Sequence, residues 1–387
     1  MKILFVGEYS NAHNNLACGL RALGHNVTIA SNGNHWLGYS RDIDLMRIIE
    51  KGNGFWVKLR NLFHLVVFMI KLLCALPRMR GYDIVQFINP DFLDLKAERL
   101  FWFYHYLRRH NKAIVLGVYG TDYYYVDCMI NKKPLRYSPY YGGDKESQKQ
   151  NRIVRMEEWI NTQKGRLNRE MAYDSDAIVA CSYEYWLPYE LSTDTDKQGN
   201  VLKSKLFFVP LPIILPSVVN EVKKVAKGHP LHVFIGINRI RASFKGADIM
   251  IKALEDLNER YPDRMELHKV ENVPFTVYNQ IMESSDVVVD QIYSYSPGMN
   301  ALLAMSKGKI VVSGGEPECY DMLGEKECRP IINVQPFYES VYEQVEQLLL
   351  HPENVAELKQ RSHEFVLGNH YYVNVAKQME KIYESLL

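Results

Sequence analysis

The stretch Val287-Val-Val-Asp290-Gln-Ile292-Tyr-Ser-Tyr295-Ser296-Pro297-Gly298-Met299-Asn300-Ala-Leu-Leu-Ala-Met305-Ser-Lys-Gly308 joins a short apolar run to a helical pattern. An uninterrupted apolar run of this kind reads as a strand covered on both faces, as in parallel sheets. Ser296 reads as the helix N-cap and Pro297 as the first helical residue, because a serine oxygen accepts from an unpaired amide and proline has no amide to leave unpaired. The amides of Gly298 and Met299 then point out of the helix end, where the backbone dipoles favour an anion. Gly298 also lets a ligand approach the backbone closely.

The same pattern recurs outward in both directions. Apolar runs of strand length occur at Lys2–Gly7, Asn26–Ser31, Asp83–Ile88, Ala113–Val118, Ala177–Ser182 and Leu206–Leu211, then at Leu231–Gly236, Met265–Val270, Lys309–Gly314 and Arg329–Val334, with helical stretches between them. This predicts an α/β chain of two doubly wound, Rossmann-like domains, and 387 residues suits two domains at roughly 100–200 residues each. The first is read as residues 1–212, with a Tyr-rich insertion at 123–165 whose few apolar runs suggest a long functional loop. A Pro-rich hinge, Pro210–Pro216, and a charged stretch through Lys227 lead into the second domain, 218–370. In 371–387, Val375, Ala376, Met379, Ile382 and Tyr383 recur at helical spacing.

Bulk properties narrow the function. Forty-six basic residues balance forty-five acidic ones, so no electrostatic footprint for nucleic acid exists. Six scattered cysteines lack metal-ligand spacing, and the chain opens on a strand rather than a secretory signal, which together predict a cytoplasmic protein with reduced thiols. The greasiest stretch, within 55–77, has an uncharged run only from Asn61 to Ile70, short of the roughly 20 residues that span a bilayer. It reads either as a core helix or as an interfacial one touching a membrane surface, with Lys58, Arg60 and aromatics at its start.

Three loops carry candidate chemistry. Gly7-Glu-Tyr-Ser-Asn11-Ala-His13 follows the first strand and lacks the GxGxxG dinucleotide fingerprint, yet it lies where open α/β sheets bind ligands. Asn238-Arg239-Ile-Arg241-Ala-Ser-Phe-Lys245-Gly246 is suited to a diphosphate, because guanidinium and ammonium groups make charge-assisted bonds to phosphate oxygens. The helix start at Ser296–Asn300 would face that basic loop and clamp the diphosphate from a second side. Asp194-Thr-Asp196 mimics a metal-binding DxD but lies in a polar loop, so no metal is expected.

With these motifs in place, the chain resembles the GT-B glycosyltransferases, and within them the retaining family 4 group of bacterial enzymes. The carrying residues are Gly7 to Asn11, Gly120-Thr121-Asp122, Arg239 to Gly246 and Pro297 to Gly308. The resemblance implies a nucleotide-diphosphate sugar donor, a saccharide or lipid-linked acceptor, no cofactor or metal, and a terminal helix that crosses back to the first domain. It assigns catalytic roles to Lys245 and to Arg239 or Arg241, with Tyr119 where the family has a histidine. Donor contacts fall on Gly7, Asn238, Tyr295, Ser296, Gly298, Met299 and Asn300, and acceptor contacts on Asn11, His13 and Asp122.

A second departure accompanies Tyr119. The family's Glu-x7-Glu motif falls on Tyr295 and Leu303, neither acidic, and Glu316 or Glu318 is the expected substitute carboxylate. The competing readings are a degenerate carbohydrate-binding paralogue and a nucleotide-sugar epimerase. The epimerase would need acid and base groups flanking the sugar, and the sequence offers no such pair.

Overall fold

The apolar runs form two all-parallel sheets in a computed structural model that describes residues 1–34, 38–216, 229–239, 241–271, 273 and 275–387. The first sheet comprises β1 (Lys2–Val6), β2 (Asn26–Ser31), β3 (Ile43–Asp44), β4 (Ile84–Phe87), β5 (Ala113–Val118), β6 (Ala177–Ala180) and β7 (Leu206–Phe208), ordered β3-β2-β1-β4-β5-β6-β7. The second comprises β8 (Leu231–Ile237), β9 (Met265–Glu271), β10 (Val287–Val289), β11 (Ile310–Ser313) and β12 (Ile332–Asn333), ordered β12-β11-β10-β8-β9. Every strand pairing is parallel. The winding reverses between β8 and β10, so the crevice where a doubly wound sheet takes its ligand lies beyond the carboxyl ends of those two strands.

Helices α1 (Ala12–Ala22), α2 (Phe55–Ala75), α3 (Ala97–His110), α4 (Tyr123–Asp127), α5 (Lys145–Trp159), α6 (Gln163–Asp174) and α7 (Tyr183–Glu190) accompany the first sheet. Helices α8 (Ala242–Lys245), α9 (Ala247–Arg260), α10 (Phe275–Ser284), α11 (Met299–Ser306), α12 (Pro317–Leu323), α13 (Tyr338–Leu350) and α14 (Val355–Asn369) accompany the second. The expected long loop at 123–165 is instead helical, containing α4, α5 and the start of α6. Its core is aromatic: Tyr125, Tyr137, Tyr140 and Trp159 are buried with Val126 and Met129, so tyrosines supply the apolar area that aliphatic runs supply elsewhere.

Helix α2 also departs from expectation. Phe68, Leu72 and Ala75 are buried, but Phe55, Trp56 and Phe63 are 73%, 68% and 64% exposed, so the core-helix alternative holds for one face only. By length and composition the segment Phe55–Met79 could cross a bilayer, because its four basic residues, Lys58, Arg60, Lys71 and Arg78, are spread so that an 18-residue window holds no more than two charges. The sheet forbids crossing: β3 before the helix and β4 after it belong to the same sheet, which a crossing would tear apart.

Helix α15 (Tyr372–Ser385) returns to the first sheet. The Ile213 amide donates to the His370 carbonyl at 2.7 Å and the Tyr372 amide to the Ile213 carbonyl at 3.1 Å, marking where the chain crosses back. Val375, Met379 and Tyr383 then join the core formed by Ile3, Phe5 and Leu16, and the Tyr383 hydroxyl donates to Gln86 at 2.6 Å. Much of the expected hinge, 217–227, lies outside the described residues. Gly19 permits the α1–α15 contact, since a Cβ there would stand 2.5 Å from the Tyr372 carbonyl oxygen and 2.6 Å from the Ala376 methyl. Gly19→Ala is therefore expected to lower stability by about 1–3 kcal/mol through overpacking. A thermal melt checks this, and an unchanged midpoint would mean that α15 is not held against Gly19.

Candidate functional site

The crevice between β8 and β10 is lined by the loops that follow them. After β8 the chain makes the short helix α8, ending at Lys245, and turns at Gly246 with φ of +74°. A Cβ at Gly246 would lie 2.5 Å from the Ile292 side chain, so glycine is needed both for the turn and for the approach. The Ile292 amide donates to the Lys245 carbonyl at 3.1 Å, which sets the Lys245 ammonium 2.5 Å from the Asp290 carboxylate at the end of β10. The loop Asp290–Gly298 is pinned from behind by the Gly314 amide on Gln291 and the Glu316 amide on Tyr295.

Helix α11 begins at Met299 with Gly298 as N-cap and no side-chain cap, later than the Ser296–Pro297 reading. Ser296 is drawn away from that role because its hydroxyl accepts from the Tyr183 amide of the first unit at 3.4 Å. The first-turn amides of α11 are thus uncapped by any side chain. Asp290 lies beside them: its Oδ2 is 3.5 Å from where a Cβ on Gly298 would be. A protein carboxylate thus pairs with the Lys245 ammonium close to the amino end of a helix, a setting that also suits a bound anion. Gly298, Met299 and Asn300 remain partly accessible, and Asn300 accepts from the Tyr278 hydroxyl at 3.1 Å.

The two arginines diverge. Arg239 is exposed and pairs with Glu271 at the carboxyl end of β9. Arg241 is solvent-exposed, and its charge favours the ionised forms of Tyr9 and Tyr185 in the first unit, which places it on the side facing that unit. Asn238 is exposed and accepts the Arg241 amide at 2.9 Å.

Glu316 and Glu318, the expected substitute carboxylates, are engaged by the insertion. Glu316 is buried and accepts from the Arg136 guanidinium at 2.8 Å and the Tyr137 hydroxyl at 2.6 Å. Glu318 accepts two bonds from the same guanidinium at 2.7 and 3.0 Å. Burial is the largest single influence on Glu318 and opposes its ionisation, but the bond and charge of Arg136 together with a backbone bond outweigh it and hold the carboxyl below its ordinary value. Tyr295 lies beneath this network, its hydroxyl accepting from the Arg136 amide at 2.6 Å and its ring 4.9 Å from the guanidinium.

On the first unit, the residues read as donor contact (Gly7), catalytic residue (Tyr119) and acceptor contacts (Asn11, His13, Asp122) are tied into the fold. Gly7 has φ of +85°, and a Cβ there would stand 2.5 Å from Ile88. Asn11 takes a left-handed conformation as the N-cap of α1 and donates to Asn15 at 2.9 Å. His13 stacks on Phe5 and lies 2.8 Å from the Gly7 carbonyl through Nδ1, which makes Nδ1 the protonated nitrogen. Burial drives its pKa down to about 3, so it stays neutral. Tyr119 is buried beside His13, and burial raises its hydroxyl far above the ordinary value. Asp122 caps α4 through the Tyr125 amide at 2.8 Å and accepts from the Tyr189 hydroxyl at 2.6 Å, while burial raises its pKa to about 6.

Sequence reasoning missed Asp290, Arg136, Tyr137 and Glu8. Glu8 is buried at the amino end of α1, accepting from the His13 amide at 3.3 Å and the Asn14 amide at 2.9 Å. The DxD-like acids are committed elsewhere: Asp194 accepts from the Tyr124 hydroxyl at 3.0 Å and Asp196 from the Gln198 and Asn200 amides at 2.9 Å. Among the described residues, ligand atoms of His232, Glu266 and His268 lie within 4.8 Å of one another. They sit near the amino ends of β8 and β9, at the far edge of the sheet from Lys245.

Two Rossmann-like sheets, with a last helix folded back onto the first, define the GT-B architecture of glycosyltransferases. Residues 233–381, which include Lys245, Asp290 and α11, match a family model described as glycosyl transferase-like. None of the curated proteins matches the chain. Among solved structures it is similar to sucrose-phosphate synthase from Thermosynechococcus elongatus, with a TM-score of 0.58 at 13% identity over 100% of this chain and 99% of that one. It is similar to Anabaena HepE in complex with UDP-glucose, with a TM-score of 0.55 at 11% identity over 100% of both. It also resembles UDP-GlcNAc 2-epimerase from Neisseria meningitidis bound to UDP-GlcNAc, with a TM-score of 0.50 at 13% identity over 98% and 99%. At these identities the likeness is one of fold.

The crevice face of the first unit has its own pH signature. Burial pushes the Glu8 carboxyl from 4.5 up to about 7, despite the amide bonds that favour its ionised form. The folded chain thus keeps this proton where the unfolded chain has lost it, and Glu8 costs stability increasingly as pH rises from 4.5 to 7. Glu8→Gln has no such proton to lose. The stability difference between variant and parent is expected to move in the variant's favour across that window by as much as about 3 kcal/mol. Melting midpoints of both proteins against pH measure it, and parallel curves would refute a raised Glu8.

Proposed function

We propose that the protein is a glycosyltransferase that moves a sugar from a nucleotide-diphosphate donor to a saccharide or lipid-linked saccharide, with retention and without a metal. It would act in the cytoplasm, in the assembly of bacterial surface polysaccharide or related glycans. The observation that carries the reading is the carboxylate of Asp290 paired with Lys245 close to the amino end of α11 at the switch point of the second sheet. A diphosphate displacing Asp290 would meet the same ammonium and would lie beside the uncapped amino end of α11. Arg241 would add a second cation from the side facing the first unit.

Charge that develops on a departing diphosphate is stabilised most by groups already oriented toward it, and Lys245, Arg241 and the α11 amides fill that role. In a retaining route the leaving phosphate takes the acceptor proton, so no separate base is required. His13 fits this, since it is neutral, buried and hydrogen-bonded rather than poised to accept a proton.

The same Asp290 favours a second reading, in which a paralogue has lost donor affinity. Tyr295 and Leu303 replace acidic residues, and Glu316 is committed to Arg136 and Tyr137. Thermal stabilisation by UDP, GDP and their sugars separates the two readings, because a ligand that binds the native state raises its melting point. Under the transferase reading one nucleotide series stabilises the parent, and Lys245→Ala weakens that binding by roughly 10- to 150-fold. Asp290→Asn tightens it, since the internal competitor is gone. No response to any nucleotide at millimolar concentration would favour the paralogue.

A further inference from the structure

Helix α2 is 21 residues long, about 30 Å at the usual rise per residue. At about 100° per residue, Phe55, Leu59, Leu62, Val66, Ile70 and Leu73 fall on one line along it, and each is exposed. Trp56 and Phe63 widen that line on one side. The opposite face, through Phe68, Leu72 and Ala75, is the one buried in the domain. Lys58 lies along one edge of the outward stripe, and Arg60 and Lys71 along the other. A continuous exposed apolar stripe of this size is not an ordinary surface for a soluble domain.

Charge selects what covers it. Residues 47–80 contain seven Lys or Arg against the single Glu50, a net charge of +6 in a chain whose total is +1. Glu50 and Asp44 partly neutralise Arg60 and Lys71 through ion pairs, but no other acid lies within this segment. Two copies of the helix would bring like charges together. An anionic lipid surface instead accepts the apolar stripe between headgroups and pairs its edges with lipid phosphates. Membership of β3 and β4 in one sheet keeps both ends of the helix on the same side of the bilayer.

We infer that α2 lies in the plane of an anionic membrane, with the Phe55–Leu73 stripe inserted at the headgroup boundary and the basic residues at its edges. Because β3 ends at Asp44, the loop before α2 leaves the sheet from the same edge as Gly7–Asn11 and Asp122. The amino end of α2 therefore stands on the crevice side of the first unit. This placement would present a lipid-linked acceptor to the crevice. That last consequence rests on the glycosyltransferase reading, whereas docking itself does not.

The test is co-sedimentation of the full chain with vesicles of phosphatidylcholine alone and of phosphatidylcholine mixed with phosphatidylglycerol. The parent should pellet with the mixed vesicles and be released by salt. Lys58→Gln should bind roughly fivefold more weakly, and the double variant Phe63→Glu, Val66→Glu should stay in the supernatant. Both positions of the double variant are exposed, so its melting midpoint and its response to nucleotide should match the parent's. Loss of vesicle binding with intact nucleotide response separates this inference from the transferase reading. A parent that ignores anionic vesicles would overturn it, as would self-association abolished by the double variant without any vesicle binding.

Discussion

The relation between the two sheets turns on one buried carboxylate. Glu316 sits almost out of water on the second unit, and an ionised carboxylate there costs several kcal/mol unless it is paired and hydrogen-bonded. Both partners, Arg136 and Tyr137, come from the insertion of the first unit. The need to satisfy that charge thus ties the two crevice walls together through side chains that the tyrosine-rich insertion delivers. Further bonds from the Tyr183 amide to Ser296 and from Asn151 to the Ser243 carbonyl extend the seam.

That seam changes how the crevice is understood. Glu316 and Glu318 are turned toward the first unit, while Lys245 is paired with Asp290. Both halves of the crevice are internally neutralised. Under the glycosyltransferase reading an incoming donor would exchange one set of charge pairs for another, so its net affinity would be a difference between two similar quantities, set by small changes at either pair.

Much of the architecture was legible because buried parallel strands are continuously apolar, and each of the eleven long runs became a strand. β3, a two-residue strand, gave no periodic signal. The insertion was misread as a loop because its core is built from tyrosines, which count as surface residues until their neighbours are known. Helix α2 looked apolar all round because it has two different apolar faces, one toward Phe68 and Leu72 and one toward solvent. In the crevice, the existence of α11 was legible from local spacing, but its start was placed two residues early because nothing local shows that the Ser296 hydroxyl is bonded to Tyr183. Arg136 was not legible, since its partner Glu316 lies 180 residues away and a single arginine carries no local mark of that pairing. His13 and Asp122 were read as ligand contacts from their place at strand ends, yet each is absorbed by bonds to its own turn.

The return of α15 to the first sheet has a consequence for how the molecule is made. Val375, Met379 and Tyr383 complete a core otherwise supplied by Ile3, Phe5 and Leu16. During synthesis the first unit emerges early but lacks one wall until the ribosome has passed the second unit entirely. The half of the molecule that is translated first is therefore finished last, and it must wait as an open, partly greasy intermediate of the kind that chaperones recognise.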